Sequence, residues 1–348
     1  MPTLSIPNVR LVGIGAAVPV LRPVKWEDLG PVAASLVAQR KRGETAYRRA
    51  ALPDECQSDF CHAAAQYLIQ ALEWQPETID LVVMTTLTAD YPIPATAIIL
   101  QDRLGIPKSA AAFDLPSGSD GFLHGLQLVA AMLASGGLRR ALLLSGEVSK
   151  NEGTVLSDSP HKVIAGHSGT VCALESVEGA PAMVFDSGGD GSRFGAFHMP
   201  VGGVRNPPRP EMFATPEGVR EASDFVIDFQ AIGAAARVEL PASVQRTLGR
   251  AGTTIDQIDR AFFTPMELPV EEDVRRTIGL SRDRYTGKVF DYGISGSGSI
   301  PLAMVASAAS TLGQSRLRLL LGDIGPGLSW GSALLEAEPM VCPELIEM

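Results

Sequence analysis

An internal repeat constrains the fold of this chain more than any other feature. Ile79-Asp80 opens IDLVVMTT, and Ile258-Asp259 opens IDRAFFTP. LGIP (Leu104–Pro107) then matches IGLS (Ile278–Ser281), and AFDLPSGSDGF (Ala112–Phe122) matches VFDYGISGSGSIP (Val289–Pro301). Last, LASGGLRRALLLSGE (Leu133–Glu147) matches ASTLGQSRLRLLLGD (Ala309–Asp323). The four blocks keep one order, at an offset of 174 to 179 residues. A supersecondary unit used twice is the simplest origin of such a pattern.

Both copies read alike. IDLVVMTT and AFFT are short apolar runs with β-branched or aromatic content, suited to buried strands. ATAIILQDRLG and VEEDVRRTIG read as helices, each ending near a glycine that can serve as C-cap. AAAFDL and KVFDY read as second strands. A turn of small residues then leads into a long apolar helix, and ALLLSG or RLLLG is a third strand. Alternation of strand and helix predicts parallel sheet with crossover helices. The two halves are expected to divide as 1–180, carrying Ser119, and 181–348, carrying Thr264 and Ile294. The two long helices are rich in Ala, Gly and Ser, which lets them pack closely between two sheets.

Composition narrows the function classes. Of 348 residues, 45% are hydrophobic and 20% charged, as in a compact soluble protein. The net charge of −10 disfavours nucleic-acid binding, which needs a basic surface. Arg40-Lys41-Arg42, Arg48-Arg49, Arg139-Arg140 and Arg275-Arg276 read as solvated charge, or else as landing sites for an acidic partner. No apolar run is long enough to cross a bilayer. The N-terminal stretch has no basic region ahead of a long apolar core, so no signal peptide is expected. Cys56, Cys61, Cys172 and Cys342 form no CxxC pair and do not suggest a disulfide framework. These features lead to the expectation of a cytoplasmic location. No GxGxxG lies in a strand–turn–helix context and no metal-ligand spacing occurs, so no bound cofactor and no metal are expected.

VRLVGIGAAVP, IDLVVMTT, YPIPATAIILQDRLGI, AFDLPSGSDGF, GHSGTVCALE, VFDYGISGSGSIP and GPGLSWGSALLE together resemble the thiolase superfamily, within it the ketoacyl-ACP synthase III branch. The likeness runs over nearly the whole chain. It implies an α/β, five-layered α-β-α-β-α fold from two similar half-domains. It implies acyl-CoA, or the phosphopantetheine of acyl carrier protein, as substrate. It also implies a dimer, either of identical chains or with a ketosynthase III-like paralogue.

That family's chemistry uses a cysteine nucleophile at a helix start, a histidine and an asparagine that stabilise an enolate, and an oxyanion hole of backbone N–H groups. The resemblance carries these positions onto Ser119, Thr264, Ile294 and the Gly325-Pro326-Gly327 run. Serine needs an adjacent base to become a nucleophile. Threonine does not titrate near neutral pH, isoleucine offers no hydrogen bond, and Pro326 has no N–H to donate. A one-residue slip would put Ser295 at the asparagine position, which still supplies no amide. The resemblance therefore implies a protein of fatty-acid or polyketide-type biosynthesis that cannot perform standard decarboxylative condensation. Three functions remain open. One is a degenerate subunit pairing with an active ketosynthase. Another is a serine-based acyltransferase with an oxygen, nitrogen or sulfur acceptor. The third is binding without covalent chemistry, as a sensor or carrier-protein docking module.

Remaining residues are read individually. Ser119 is a nucleophile, or a small residue whose hydroxyl caps the helix. Asp120 reads as a first-turn acid favoured by the helix dipole. His198 is the candidate substitute base, the alternative being a structural histidine. His124, about 140° around the helix from Ser119, is expected to face elsewhere. His167 reads as structural, His62 as surface and His161 as loop. Ile93 falls where the family closes a partner's acyl tunnel, the alternative being core packing. Cys172 reads as a small buried residue.

Overall fold

The apolar runs of the repeat form strands that are buried on both faces. The computed structural model describes residues 3–24, 46–148, 166–215, 218, 225–286 and 292–348. His161 and Arg40-Lys41-Arg42 lie outside the described residues, as does all but the last residue of the strand expected at KVFDY. The first half holds β1 (Thr3–Ile6), β2 (Val9–Val18), the ribbon β3 (Leu21–Val24) and β4 (Ala46–Arg49), and helix α1 (Gln57–Ala71). β5 (Leu81–Thr85), α2 (Thr96–Arg103), β6 (Ala111–Leu115), α3 (Gly121–Ala134), β7 (Arg140–Glu147) and β8 (Ser168–Ser176) follow. The second half holds β9 (Met183–Gly189), the short β10 (Phe197–His198) and β11 (Val226–Ile227), α4 (Phe229–Ala251), β12 (Arg260–Phe263) and α5 (Leu268–Ile278). It closes with β13 (Tyr285–Thr286), α6 (Ser299–Gln314), β14 (Leu317–Gly325), β15 (Ser329–Ala337) and β16 (Ile346–Glu347).

Two six-stranded sheets result, ordered β16-β2-β8-β7-β5-β6 and β1-β9-β15-β14-β12-β13. Without β16 and β1 the two orders correspond strand for strand, which is the sequence repeat made visible. β1 pairs with β9 and β16 with β2, so each terminus joins the sheet built by the other half. The sheets are mixed rather than parallel throughout. β5 runs parallel to β6 and β7, whereas β7–β8 and β8–β2 are antiparallel. Antiparallel neighbours do not require the crossover that parallel strands need, so the sheet's pairing changes at β7–β8.

Three cores separate the layers. α1 and α2 pack on the outer face of the first sheet through Val82, Met84, Leu142 and Leu144. α4 and α5 cover the second sheet through Phe263 and Leu320. The opposite faces of both sheets, including Leu81, Val83, Leu143, Leu319 and Leu321, close on α3 and α6 in a shared central core. Successive residues of one strand thus feed different cores, the period of two expected of a strand. Gly125 lets α3 lie against its sheet, because a Cβ there would come within 2.7 Å of Leu143 Cδ1 and 2.8 Å of Thr85 Cγ2. The glycines expected to stop helices do so in the left-handed region, Gly105 at φ 69° after α2 and Gly279 at φ 77° after α5. Among the described residues no helix is long and apolar enough to cross a membrane.

Leu126, on α3, is fully buried between the sheets. Leu126→Ala is expected to cost about 2–5 kcal/mol of unfolding free energy. Urea denaturation measures it, and a loss below about 1 kcal/mol would contradict the central-layer placement.

Candidate active site

The turns singled out in the sequence meet at the start of α3, beyond the carboxyl ends of the parallel strands, where open α/β sheets place their ligands. Gly121 opens α3, and a Cβ there would meet Ser117, Thr85 and Ser297 side chains at 3.1, 3.4 and 3.5 Å. Both small-residue turns, FDLPSGSDGF and DYGISGSGS, therefore share one small space. The turn before α3 closes with Gly121 N–H donating to Gly118 O at 2.8 Å.

Ser119 lies just outside the helix and is 9% exposed. It is not the capping residue. Asp120 holds that position at φ −69°, ψ −9°, without a side-chain cap bond. Nor does Asp120 act as a simple surface acid, since it is 3% exposed and surrounded by donors. Ser117 Oγ donates to Asp120 Oδ1 at 3.2 Å, Ser329 Oγ donates to Oδ2, and His124 Nδ1 lies 3.2 Å from Oδ2. This corrects the expectation for His124. Ser119 precedes the helix, so a helical angle counted from it does not apply. Counted from Asp120, His124 is one turn on and faces it.

Thr264 follows β12, is 4% exposed, and gives its hydroxyl to Asp323 Oδ1. Its amide donates to Gly322 O at 3.0 Å. Asp323 is completely buried at the end of β14, and its Oδ2 has no partner. Burial, then the charge of Asp120, pushes its carboxyl well above the usual range, against the pull of the Thr264 hydroxyl and the Ile324 amide. Pro326 packs directly on Gly118: a Cβ at Gly118 would stand 2.8 Å from Pro326 Cδ and 3.1 Å from Leu87 Cδ1. Pro326 O lies 2.7 Å from the same Ser329 Oγ, an alternative acceptor for its one proton. Asp120, Ser329 and Pro326 are thereby linked on one side, and Thr264 with Asp323 on the other.

Ile294 is half-buried, and its carbonyl accepts from Gly166 N–H at 2.8 Å. The serines after it are committed to structure. Ser295 Oγ lies 2.6 Å from Ser168 Oγ and donates to Gly166 O at 3.1 Å. Ser297 Oγ donates to Thr85 O at 2.7 Å and accepts from Gly146 N–H at 3.1 Å, tying the second half's turn to the first half's sheet.

His198 is not drawn into this cluster. Its Nδ1 lies 3.2 Å from Gly195 O, and its ring stacks edge-on against Phe194 at 5.8 Å. Ile93 is 86% exposed, which overturns core packing as its alternative reading. His167 is buried with Nδ1 accepting from Ala51 N–H at 2.8 Å, His62 bonds to Arg103 O, and Cys172 is buried in β8. Arg49, Arg140, Arg275 and Arg276 each pair with a carboxylate. Among the described residues no cluster of His, Cys, Asp and Glu is arranged to hold a metal.

Sequence reasoning missed Asp323, Ser329 and Glu147. Glu147 ends β7 and accepts from Leu87 N–H at 3.0 Å, Thr86 Oγ1 at 3.1 Å and Thr88 Oγ1 at 2.8 Å. Burial pushes its carboxyl up to about 7, with those donors opposing the rise. It pins the start of the loop that carries Tyr91 and Ile93 outward. A signal existed: each copy of the repeat ends its most apolar strand on an acid, LLLSGE and LLLGD.

Comparison with known proteins agrees with this architecture. Residues 248–337 match the family described as 3-oxoacyl-[acyl-carrier-protein (ACP)] synthase III C terminal. The chain is 28% identical over 341 residues to a beta-ketoacyl-[acyl-carrier-protein] synthase III of Desulfitobacterium hafniense, covering 94% of this chain and 98% of that one. The structure of a 3-oxoacyl-(acyl-carrier protein) synthase from Burkholderia xenovorans LB400 superposes with a TM-score of 0.88 at 27% identity, covering 100% and 99% of the two chains. The synthase III of Thermus thermophilus gives 0.79 at 25% identity, covering 95% and 99%. The fold is thiolase-like, and the chain is ketoacyl-ACP synthase III-like.

Gly118→Ala is expected to cost about 1–3 kcal/mol by overpacking against Pro326. Adding Pro326→Ala should recover most of that loss, because the two positions are coupled through one contact. Strictly additive losses in urea denaturation would contradict the contact.

Proposed function

We propose that this chain is a ketoacyl-ACP synthase III-like subunit that performs no decarboxylative condensation and pairs with an active ketosynthase. One observation carries the reading. At the position the resemblance assigns to histidine, Thr264 has no titratable group, and its hydroxyl is committed to Asp323. Around it, the asparagine position holds Ile294, and the oxyanion run holds Pro326, which cannot donate. Losing one oxyanion donor costs an enzyme about 3 kcal/mol of barrier, and here the enolate-stabilising pair is replaced as well. Ile93, exposed on the loop beyond Glu147, would reach a partner's acyl tunnel. The setting is fatty-acid or polyketide-type biosynthesis in the cytoplasm, with acyl carrier protein as a further partner. No resident cofactor, nucleic acid or membrane is involved. Native mass spectrometry of the protein from its source cells tests this: a heterodimer with a ketosynthase is expected, and homodimers alone would contradict it.

A second reading is favoured by the Asp120–His124 contact beside Ser119. In it, Ser119 Oγ attacks the carbonyl carbon of an acyl thioester of CoA or carrier protein. The C–O bond forms as the C–S bond breaks, and the serine proton passes to the leaving sulfur. Transfer to an oxygen, nitrogen or sulfur acceptor would regenerate the serine. Intact-mass measurement after incubation with acyl-CoA distinguishes the readings. The subunit reading expects no acyl adduct, whereas an adduct lost in Ser119→Ala would establish the acyltransferase.

A further inference from the structure

We propose that Asp120 and Asp323 form a proton-binding site, two buried carboxylates holding one proton between them on Asp323, with His124 as their contact to water. The two side chains come from facing elements, the start of α3 and the last residues of β14, and lie 3% and 0% exposed; a Cβ at Gly325, two residues along β14 from Asp323 and so on the same face, would meet Asp120 Oδ1. Two ionised carboxylates so placed repel each other and lose their hydration, and such pairs relieve both costs by keeping one proton.

The donors decide which carboxylate keeps it. Asp120 is met by three polar groups, Ser117 Oγ, Ser329 Oγ and His124 Nδ1. Asp323 has the Thr264 hydroxyl on Oδ1 and the Ile324 amide nearby, and its buried Oδ2 has no partner. An orphaned buried carboxylate oxygen calls for a ligand. With no cation-holding cluster among the described residues, a proton is the ligand that fits. The upward push on Asp323 from burial and from Asp120 has the same direction. Among the described residues, the titratable groups facing the site are Asp120 and His124 on α3 and Asp323 on β14. β12, β15 and the turn before α3 present only the hydroxyls of Thr264, Ser329 and Ser117. Of the three titratable groups, His124 alone reaches water, its side chain being 36% exposed. The Ser119 turn thus gains an acid–base group that the Thr264 position lacks, whichever reading of Ser119 holds.

The sign of the stability effect follows. Asp323 binds its proton more tightly folded than unfolded, so its contribution is fully present below the ordinary aspartate value of about 3.9. That contribution is lost as pH rises through the folded value. Asp323→Asn, nearly isosteric, should therefore raise the urea midpoint above that of the parent at alkaline pH and leave it unchanged at the acid end.

The direct test is carbon-13 labelling of aspartate carboxyl groups, read by NMR across about pH 4 to 9, a span covering ordinary and raised carboxylates. One aspartate resonance, absent from D323N, should titrate well above the surface aspartates. In Asp120→Asn its midpoint should fall, because the repelling charge is gone. If D323N does not fold, parent and D120N decide the matter alone. An Asp323 that titrates with the surface aspartates, or a raised midpoint that D120N leaves unmoved, would overturn the proposal.

Discussion

A carboxylate cannot be buried cheaply, and the arrangement at the centre of this protein answers to that constraint. Asp323 lies near the end of a strand packed on both faces and has a single hydroxyl partner. The surrounding residues are arranged around it and its neighbour Asp120. Thr264 turns its hydroxyl inward, Ser329 bridges from β15, Ser117 and His124 close on Asp120, and the Pro326 ring seals against Gly118. The hydroxyls of Thr264, Ser117 and Ser329 are thereby committed to the two acids.

The scaffold delivers these residues to one place by duplication. Strands β5, β6 and β7 and their counterparts β12, β13 and β14 end at the same level, and α3 and α6 start there. Ser297 then joins the halves, with its hydroxyl bonded to the backbone of both Thr85 and Gly146. A substitution in either turn is felt in the other half, because the linking atoms are backbone and cannot move independently.

Much of the architecture was legible in the sequence because it rests on local periodicity and on a repeat. Both copies place their glycine helix stops, and the buried strands β5, β7, β12 and β14, where the residues suggest. The mixed sheets were not legible, since β8 and β2 join by long-range antiparallel pairing that no local period announces. At the site, Thr264 binds Asp323 and Pro326 packs on Gly118, next to Ser119 in the chain, while His198 stays on its own ribbon. His124 was misjudged because its geometry depends on where the helix begins, one residue after Asp120. Asp323 and Glu147 were passed over although each ends a matched strand. Their meaning lies in burial, which appears only once the two halves close.

The central claim is that a site closed in this way does not drive decarboxylation. Release of carbon dioxide from malonyl-carrier protein, measured with the purified protein and an acyl-CoA primer, tests it most directly. No release above the protein-free control is the expected result. Release that depends on the protein and disappears in Ser119→Ala would contradict the account.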